Sequence, residues 1–175
     1  MSEPVFLPSP ERQEELIRQA TDALTALGLP FELMRHPLVN TIEEMEALGL
    51  WNDGEVIKNL FLRDATGKRH FLVLLPHDKP GDLKALRAVL GSSRLSFGSA
   101  ERLMDRLGLT PGSVSALGLL NDPDATVEVL ADRALLGASR LALHPLINTA
   151  TVWLSPADFE AFLKAQPHEV RWAEL

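Results

Sequence analysis

The chain contains no cysteine. That absence removes disulfides, thiolate nucleophiles and cysteine-ligated metals together, and it suits a reducing compartment such as the cytoplasm. Long apolar runs are missing too, because no stretch reaches the roughly 18 residues that cross a bilayer. The opening MSEPVFLPSPERQEE is acidic and broken by prolines, so it does not read as a signal peptide. The short catalytic signatures are also lacking: there is no G-x-S-x-G elbow, no phosphate-binding P-loop, no G-x-G-x-x-G and no H-E-x-x-H. His70 and His77 stand seven residues apart on a strand and its exit, too far for one metal face. Asp122-Pro-Asp124 lacks the glycine and closing glutamate of a calcium loop. Neither a metal nor a cofactor is expected.

What is present describes one soluble domain. The 175 residues are 46% apolar and 23% charged, enough to bury a sizeable core. A net charge of −7 argues against a protein that coats long nucleic acid or binds duplex DNA. The charge is unevenly spread, however. Residues 58–106 hold ten Lys/Arg against five Asp/Glu, and the remainder holds seven against nineteen. A basic middle inside an acidic shell can meet a phosphate ligand locally. The plainer alternative is that Lys84, Arg87, Arg102 and Arg106 only solvate two helices.

Local signals divide the chain into short elements. Ser9-Pro10 opens a helix as N-cap and first residue, Leu16, Ile17, Ala20, Ala23, Leu24 and Leu27 follow at helical spacing, and Gly28 ends it. FELMRH (31–36) reads as a strand. Thr41 and Glu44 form a capping box for a short helix, and a loop follows at 49–55. IKNLFLRD and HFLVLLP flank DATGKR as a β-hairpin turning at Gly67. Asp82 caps a helix ended by Gly91, and Ser99 caps another ended by Gly108. RLSF, TVEVLAD, RLALH and TATVWL read as strands, Ser155-Pro156 starts a last helix, and HEVRWAEL adds an edge strand. The expectation is a single mixed α/β domain over residues 1–175, with six to seven strands and four to five helices.

Three features suggest a polar pocket. Lys58 sits among apolar residues at the entry of a strand, where an ammonium is costly to desolvate without a partner or a task. The hexapeptide HPLVNT (36–41) recurs as HPLINT (144–149), and each copy offers a histidine, an asparagine and a threonine around a proline-fixed bend. The segment from Gly112 through Ser113, Val114 and Ser115 to Gly118 can bring backbone N–H groups close to a carbonyl or developing oxyanion. His144 and Asn148 can bind hydroxyls or orient a water. Each residue also has a structural reading: the glycines shape turns, and a histidine before proline closes a strand.

The blocks KNLFLRDATGKRHFLVLLPHDK, DLKALRAVLGSSRLSFGSAERL, LGLTPGSVSALGLLND and HPLINTATVWLSPADFEAFL, in that order, resemble the YbaK/ProX-like family of prolyl-tRNA-synthetase-associated editing domains, which are aminoacyl-tRNA deacylases. The similarity runs over roughly residues 30–165 and is nearest the free-standing branch that clears alanine from mischarged tRNA for proline. The resemblance implies a barrel-like mixed sheet flanked by helices, with the aminoacyl ester in a small pocket. It implies that Lys58 contacts the terminal adenosine or its phosphate, with Asn59 beside it. It places the Gly112 to Gly118 loop on the substrate and His144 near the terminal ribose. Asn148 and Thr149 belong to the same block, and His36 with the first hexapeptide to part of the pocket wall. Many members of that family carry a proline before the last glycine of the loop; here the stretch reads Ser115-Ala116-Leu117-Gly118. The partners implied are the acceptor end of a mischarged tRNA and prolyl-tRNA synthetase. Alanine is the expected amino acid, with serine, cysteine or a non-protein amino acid open. A non-catalytic module that binds tRNA or a synthetase is the alternative of a different class.

Overall fold

The computed structural model describes residues 7–39, 41–49 and 54–175. Residues 50–53 of the loop expected at 49–55, and Asn40 of the first hexapeptide, lie outside the described residues.

Helix α1 (Pro10–Ala26) starts where expected, with the Ser9 hydroxyl accepting from the Arg12 amide, and it buries Ile17, Ala20 and Leu24. Strand β1 (Glu32–Arg35) follows, then α2 (Ile42–Ala47), capped by the Thr41 hydroxyl on the Glu44 amide. The hairpin is β2 (Glu55–Arg63) and β3 (His70–Pro76). Its turn is held by the Asp64 carboxylate, which accepts from the Thr66 hydroxyl and from the Lys68 and Arg69 amides. Asp82 caps α3 (Leu83–Leu90), β4 is Ser96–Phe97, and Ser99 caps α4 (Ala100–Leu107). The remaining elements are β5 (Val127–Asp132), β6 (Leu141–Leu143), β7 (Ala150–Leu154), α5 (Pro156–Ala165) and β8 (Val170–Ala173). Short 3-10 helices occupy Ala116–Asn121, inside the glycine-containing segment, and Arg133–Gly137.

The expected mixed α/β class is observed, with eight strands among the described residues rather than six or seven. They form one sheet in the order β1-β7-β6-β2-β3-β5-β8, with β4 also paired to β2. The ladder is an open path with β1 and β8 at its ends. β3 pairs antiparallel with β2, and β5 and β8 add in parallel. Every residue of β3 is buried. Leu72 and Leu74 pack into a core with Ile57, Phe61 and Phe159; Phe71, Val73 and Leu75 pack into a second with Leu86 and Leu90 of α3. A strand covered on both faces reads as a continuous apolar run, which is what HFLVLLP is.

β2 positions the site. Its residues 57–63 pair with β3, its first two residues pair in parallel with β6, and Leu62 and Arg63 pair with β4 on the edge away from β3. Among the described residues, that edge carries no strand partner from 57 to 60. A strand edge left open in mid-sheet exposes backbone groups and side chains to a cavity rather than to a neighbour. No helix among the described residues is long and apolar enough to cross a membrane.

Candidate active site

A cavity of about 230 Å³ opens at this gap. β2 contributes Val56, Ile57, Lys58 and Asn59, and the end of β6 contributes Ala142, Leu143 and His144. Thr151 of β7 and Gly112 and Val114 of the loop add to the lining, as do Val39, Thr41 and Met45 around α2. Four segments far apart in sequence therefore meet at one place, and most of the lining is small or apolar.

Lys58 is half-buried, and its Nζ donates to the Lys79 carbonyl at 2.5 Å. Lys79 is itself pinned, since its ammonium pairs with buried Asp132 at 2.6 Å and donates to the Leu175 carbonyl at 2.8 Å. The Lys58 charge is thus held in place by a neutral acceptor, and among the described residues no carboxylate neutralises it. Asn59 folds its amide nitrogen back onto the Ile57 carbonyl at 3.0 Å, leaving Oδ1 without a donor.

In the loop, Gly112 has φ +89°, a left-handed conformation that side chains resist. Gly112 and Val114 line the cavity, and neither amide donates to another described residue, so both remain available to a carbonyl oxygen. The other loop residues face the core. Ser113 is buried in a turn, its amide bonded to the Thr110 carbonyl. The Ser115 hydroxyl caps the 3-10 helix at the Leu117 amide. A Cβ on Gly118 would stand 2.6 Å from Leu109 Cδ1, so that glycine serves close packing. Ala116 is fully buried inside the 3-10 helix.

The two hexapeptides lie against each other with divided roles. His144 lines the cavity, and its Nδ1 lies 3.2 Å from the Ala150 carbonyl. A carbonyl only accepts, so Nδ1 carries the proton and Nε2 is left as an acceptor. Burial pushes the His144 pKa down, the Ala150 carbonyl opposes this, and nearby His36 adds to the lowering; the ring is therefore neutral at neutral pH. The bend beyond it is tight: Leu146 has φ +67°, rare for leucine, and its amide donates to the His144 carbonyl at 2.9 Å. Asn148 is buried, and its amide donates to the Val39 carbonyl, tying the second hexapeptide to the first. The Thr149 hydroxyl turns away to Gln13 of α1. His36 stands behind the wall, its Nε2 2.8 Å from the Thr151 hydroxyl. Lys58, Asn59, Gly112, Val114 and His144 therefore meet at the cavity, whereas Ser113, Ser115, Gly118, Asn148, Thr149 and His36 support it from outside.

Sequence reasoning missed Thr151, Met45 and Val56, whereas Val39 belongs to the first hexapeptide, expected in the pocket wall. TATVWL carries two threonines two residues apart, and nothing local distinguishes the one facing the cavity. Elsewhere, Glu55, His77 and Asp78 bring ligand-type atoms within 4.8 Å of one another, but His77 donates from both its amide and its ring to Glu55 Oε1, so that group closes on itself.

Residues 36–162, which include every residue lining the cavity, match the aminoacyl-tRNA editing domain. The chain belongs to that family. It is 46% identical over 152 residues to the prolyl-tRNA editing protein ProX of Acetoanaerobium sticklandii, covering 87% of this chain and 93% of that protein. It is 36% identical over 159 residues to the prolyl-tRNA synthetase associated domain-containing protein 1 of Mus musculus, covering 89% and 94%. In fold, the editing domain superimposes on the crystal structure of hypothetical protein APE2540 with a TM-score of 0.72 at 20% identity, over 89% of this chain and 97% of that one. The open edge of β2, with its unneutralised lysine, is therefore the place to look for the chemistry of an editing domain.

Proposed function

We propose that this protein is a trans-editing aminoacyl-tRNA deacylase that hydrolyses the ester of mischarged tRNA for proline, with alanine as the amino acid removed. The observation that carries this reading is one small cavity that combines an unneutralised lysine, two unbonded loop amides and a neutral histidine acceptor.

A synthetase site built for proline cannot strongly reject a smaller side chain, because each missing methylene costs only about 1–3 kcal/mol. A second site that admits only the smaller product corrects this. Val39, Met45, Val56, Ala142 and Leu143 supply an apolar wall suited to a methyl group. Lys58 holds the terminal nucleotide through its phosphate, and the Gly112 and Val114 amides polarise the aminoacyl carbonyl. His144 Nε2 orients the neighbouring ribose hydroxyl or the attacking water. Water adds to the carbonyl carbon, the bond to the ribose oxygen breaks, and a proton passes to that oxygen, releasing free amino acid and tRNA. An activated ester needs no covalent nucleophile for this, and among the described residues no serine or cysteine lines the cavity.

The basic middle of the chain supports a nucleic-acid partner. Arg63, Arg94 and Phe97 line one groove, with Lys84 and Arg87 beside it, and Phe97 is 63% exposed. Among the described residues, Arg63, Lys84 and Arg94 have no carboxylate partner. Arg102 is different: it is spent on the Gly67 carbonyl and His70. Phosphate contacts of this kind make substrate binding weaken as salt rises. Prolyl-tRNA synthetase is the expected protein partner, and the cytoplasm the expected site of action.

The test is deacylation of tRNA for proline charged with alanine, serine, cysteine or proline. Selective loss of alanine, with a Michaelis constant that rises with salt, is the expected result. Loss of another amino acid keeps the activity and changes its substrate. No turnover on any ester leaves a tRNA- or synthetase-binding module in its place.

A further inference from the structure

Hydrogen-bond directions reveal what the cavity is prepared to receive. His36 Nδ1 lies 2.8 Å from the Pro37 carbonyl, which only accepts, so that nitrogen carries the proton. When the ring is neutral, Nε2 accepts, and the partner 2.8 Å away is the Thr151 hydroxyl. In that state the single proton of the hydroxyl is committed to His36. Thr151 is 1% exposed and lines the cavity, so it shows the cavity lone pairs and no donor. Asn59 commits one of its two amide N–H groups to the Ile57 carbonyl, and its Oδ1 meets no donor among the described residues. Among the described residues, no carboxylate lines the cavity. The lysine there is already held by the Lys79 carbonyl.

A cavity with neutral acceptors of fixed direction calls for a ligand group rich in donors. Resting on the deacylase reading above, we propose that Thr151, held by His36, receives the α-ammonium group of the aminoacyl ester, with Asn59 Oδ1 as a second acceptor. An ammonium carries three donors, more than any other group at the aminoacyl end, and loses the most if buried unpaired. His144 Nε2 is left for the ribose hydroxyl, which has one donor to satisfy. His36 is a positioning residue: it dictates which way the Thr151 proton points and does not touch the substrate. The site would then read the free amino group as well as the size of the side chain. Esters whose nitrogen is acylated, or replaced by a hydroxyl, would be rejected even when the side chain is a methyl group.

The experiment compares alanyl-tRNA, lactyl-tRNA, which has a hydroxyl in place of the ammonium, and N-acetyl-alanyl-tRNA. Each enzymatic rate is divided by the spontaneous hydrolysis rate of that ester, since the ammonium also activates it chemically. Wild type is expected to favour the alanyl ester in kcat/KM by roughly tenfold to a hundredfold, the range for leaving buried polar partners unmet. Thr151→Val, close in shape but without lone pairs, should collapse that preference toward one, and Thr151→Ser should restore it. Equal handling of the three esters by wild type overturns the inference, and this result needs no variant to fold. A Thr151→Val variant that keeps the preference, or slows all three esters equally, overturns it as well. If wild type hydrolyses no alanyl-tRNA, it is the deacylase reading itself that fails.

Discussion

The carboxylate of Asp122 and the cavity beside Lys58 are both polar places built around a histidine, but they are finished differently. At Asp122 both oxygens are fully used. The Thr126 amide and hydroxyl donate to Oδ1 at 3.0 and 2.6 Å, and the Val127 amide and His168 Nε2 donate to Oδ2 at 2.9 and 2.8 Å. Burial raises the Asp122 pKa, but these hydrogen bonds outweigh it and hold the carboxyl below its usual range. The knot fastens the approach to β5 onto the segment that enters β8. At the cavity, each polar group is satisfied on one side only: His144 through Nδ1, Thr151 through its proton, Asn59 through its amide nitrogen, and Lys58 by a neutral carbonyl. Polar groups that consume one another make structure. Polar groups anchored from behind and unmet in front make a site, because leaving them so is costly unless a ligand or water completes them.

The largest effect should come from breaking the knot. Asp122→Ala strands His168 Nε2 and two amides and is expected to cost about 1–3 kcal/mol for each buried donor left unmet. Urea unfolding measures it, and the folded fraction should deacylate normally; normal stability with lost activity would mean that the knot belongs to the site. Lys58→Ala should do the reverse. It should lower kcat/KM by roughly a hundredfold to a thousandfold, as removal of one preorganised electrostatic contact does, while the thermal midpoint stays near wild type. Full activity in Lys58→Ala would remove the lysine from the mechanism.

The smallest effect is in the pH dependence of stability. His70 is buried against Phe61, and burial, Arg106 and Arg102 press its pKa below the usual 6.5. His144 is lowered in the same direction. A histidine kept neutral by folding stabilises fully above 6.5, and that contribution is lost as pH falls through 6.5 toward the folded value. The carboxyls of Asp64 and Asp122 are also lowered in the folded state, so their contributions hold above 3.8 and disappear below it. The urea midpoint should therefore fall in two separate steps on acidification. His70→Gln should shrink the upper step and spare the lower one; an unchanged upper step would show that His70 is not its source.

Much of the fold was legible because it is local. Ser9, Thr41, Asp82, Ser99 and Ser155 each cap the helix that follows, because a short polar side chain and the next free amides lie within a few residues. The two 3-10 helices carry too little periodicity to be read in advance. In the site, Lys58 stood out because its charge contradicts its surroundings, and the repeated hexapeptide marked both histidines. Asn148 and Thr149 share that repeat and yet face Val39 and Gln13, because the bend at Leu146 decides which side chain points where.

By itself, the sequence determined the elements, their caps, the absence of thiol and serine-triad chemistry and, through the order of its blocks, the family. Tertiary structure decided what those residues do. Thr151 is one of two similar threonines until β1 and β7 pair and bring it against His36. Lys58 is an isolated charge until the turn after β3 brings the Lys79 carbonyl to it. Caps and turns depend on neighbours a few residues away. The direction of a hydroxyl proton, and the gap in a sheet edge that it faces, depend on segments more than a hundred residues apart and exist only after the sheet has formed.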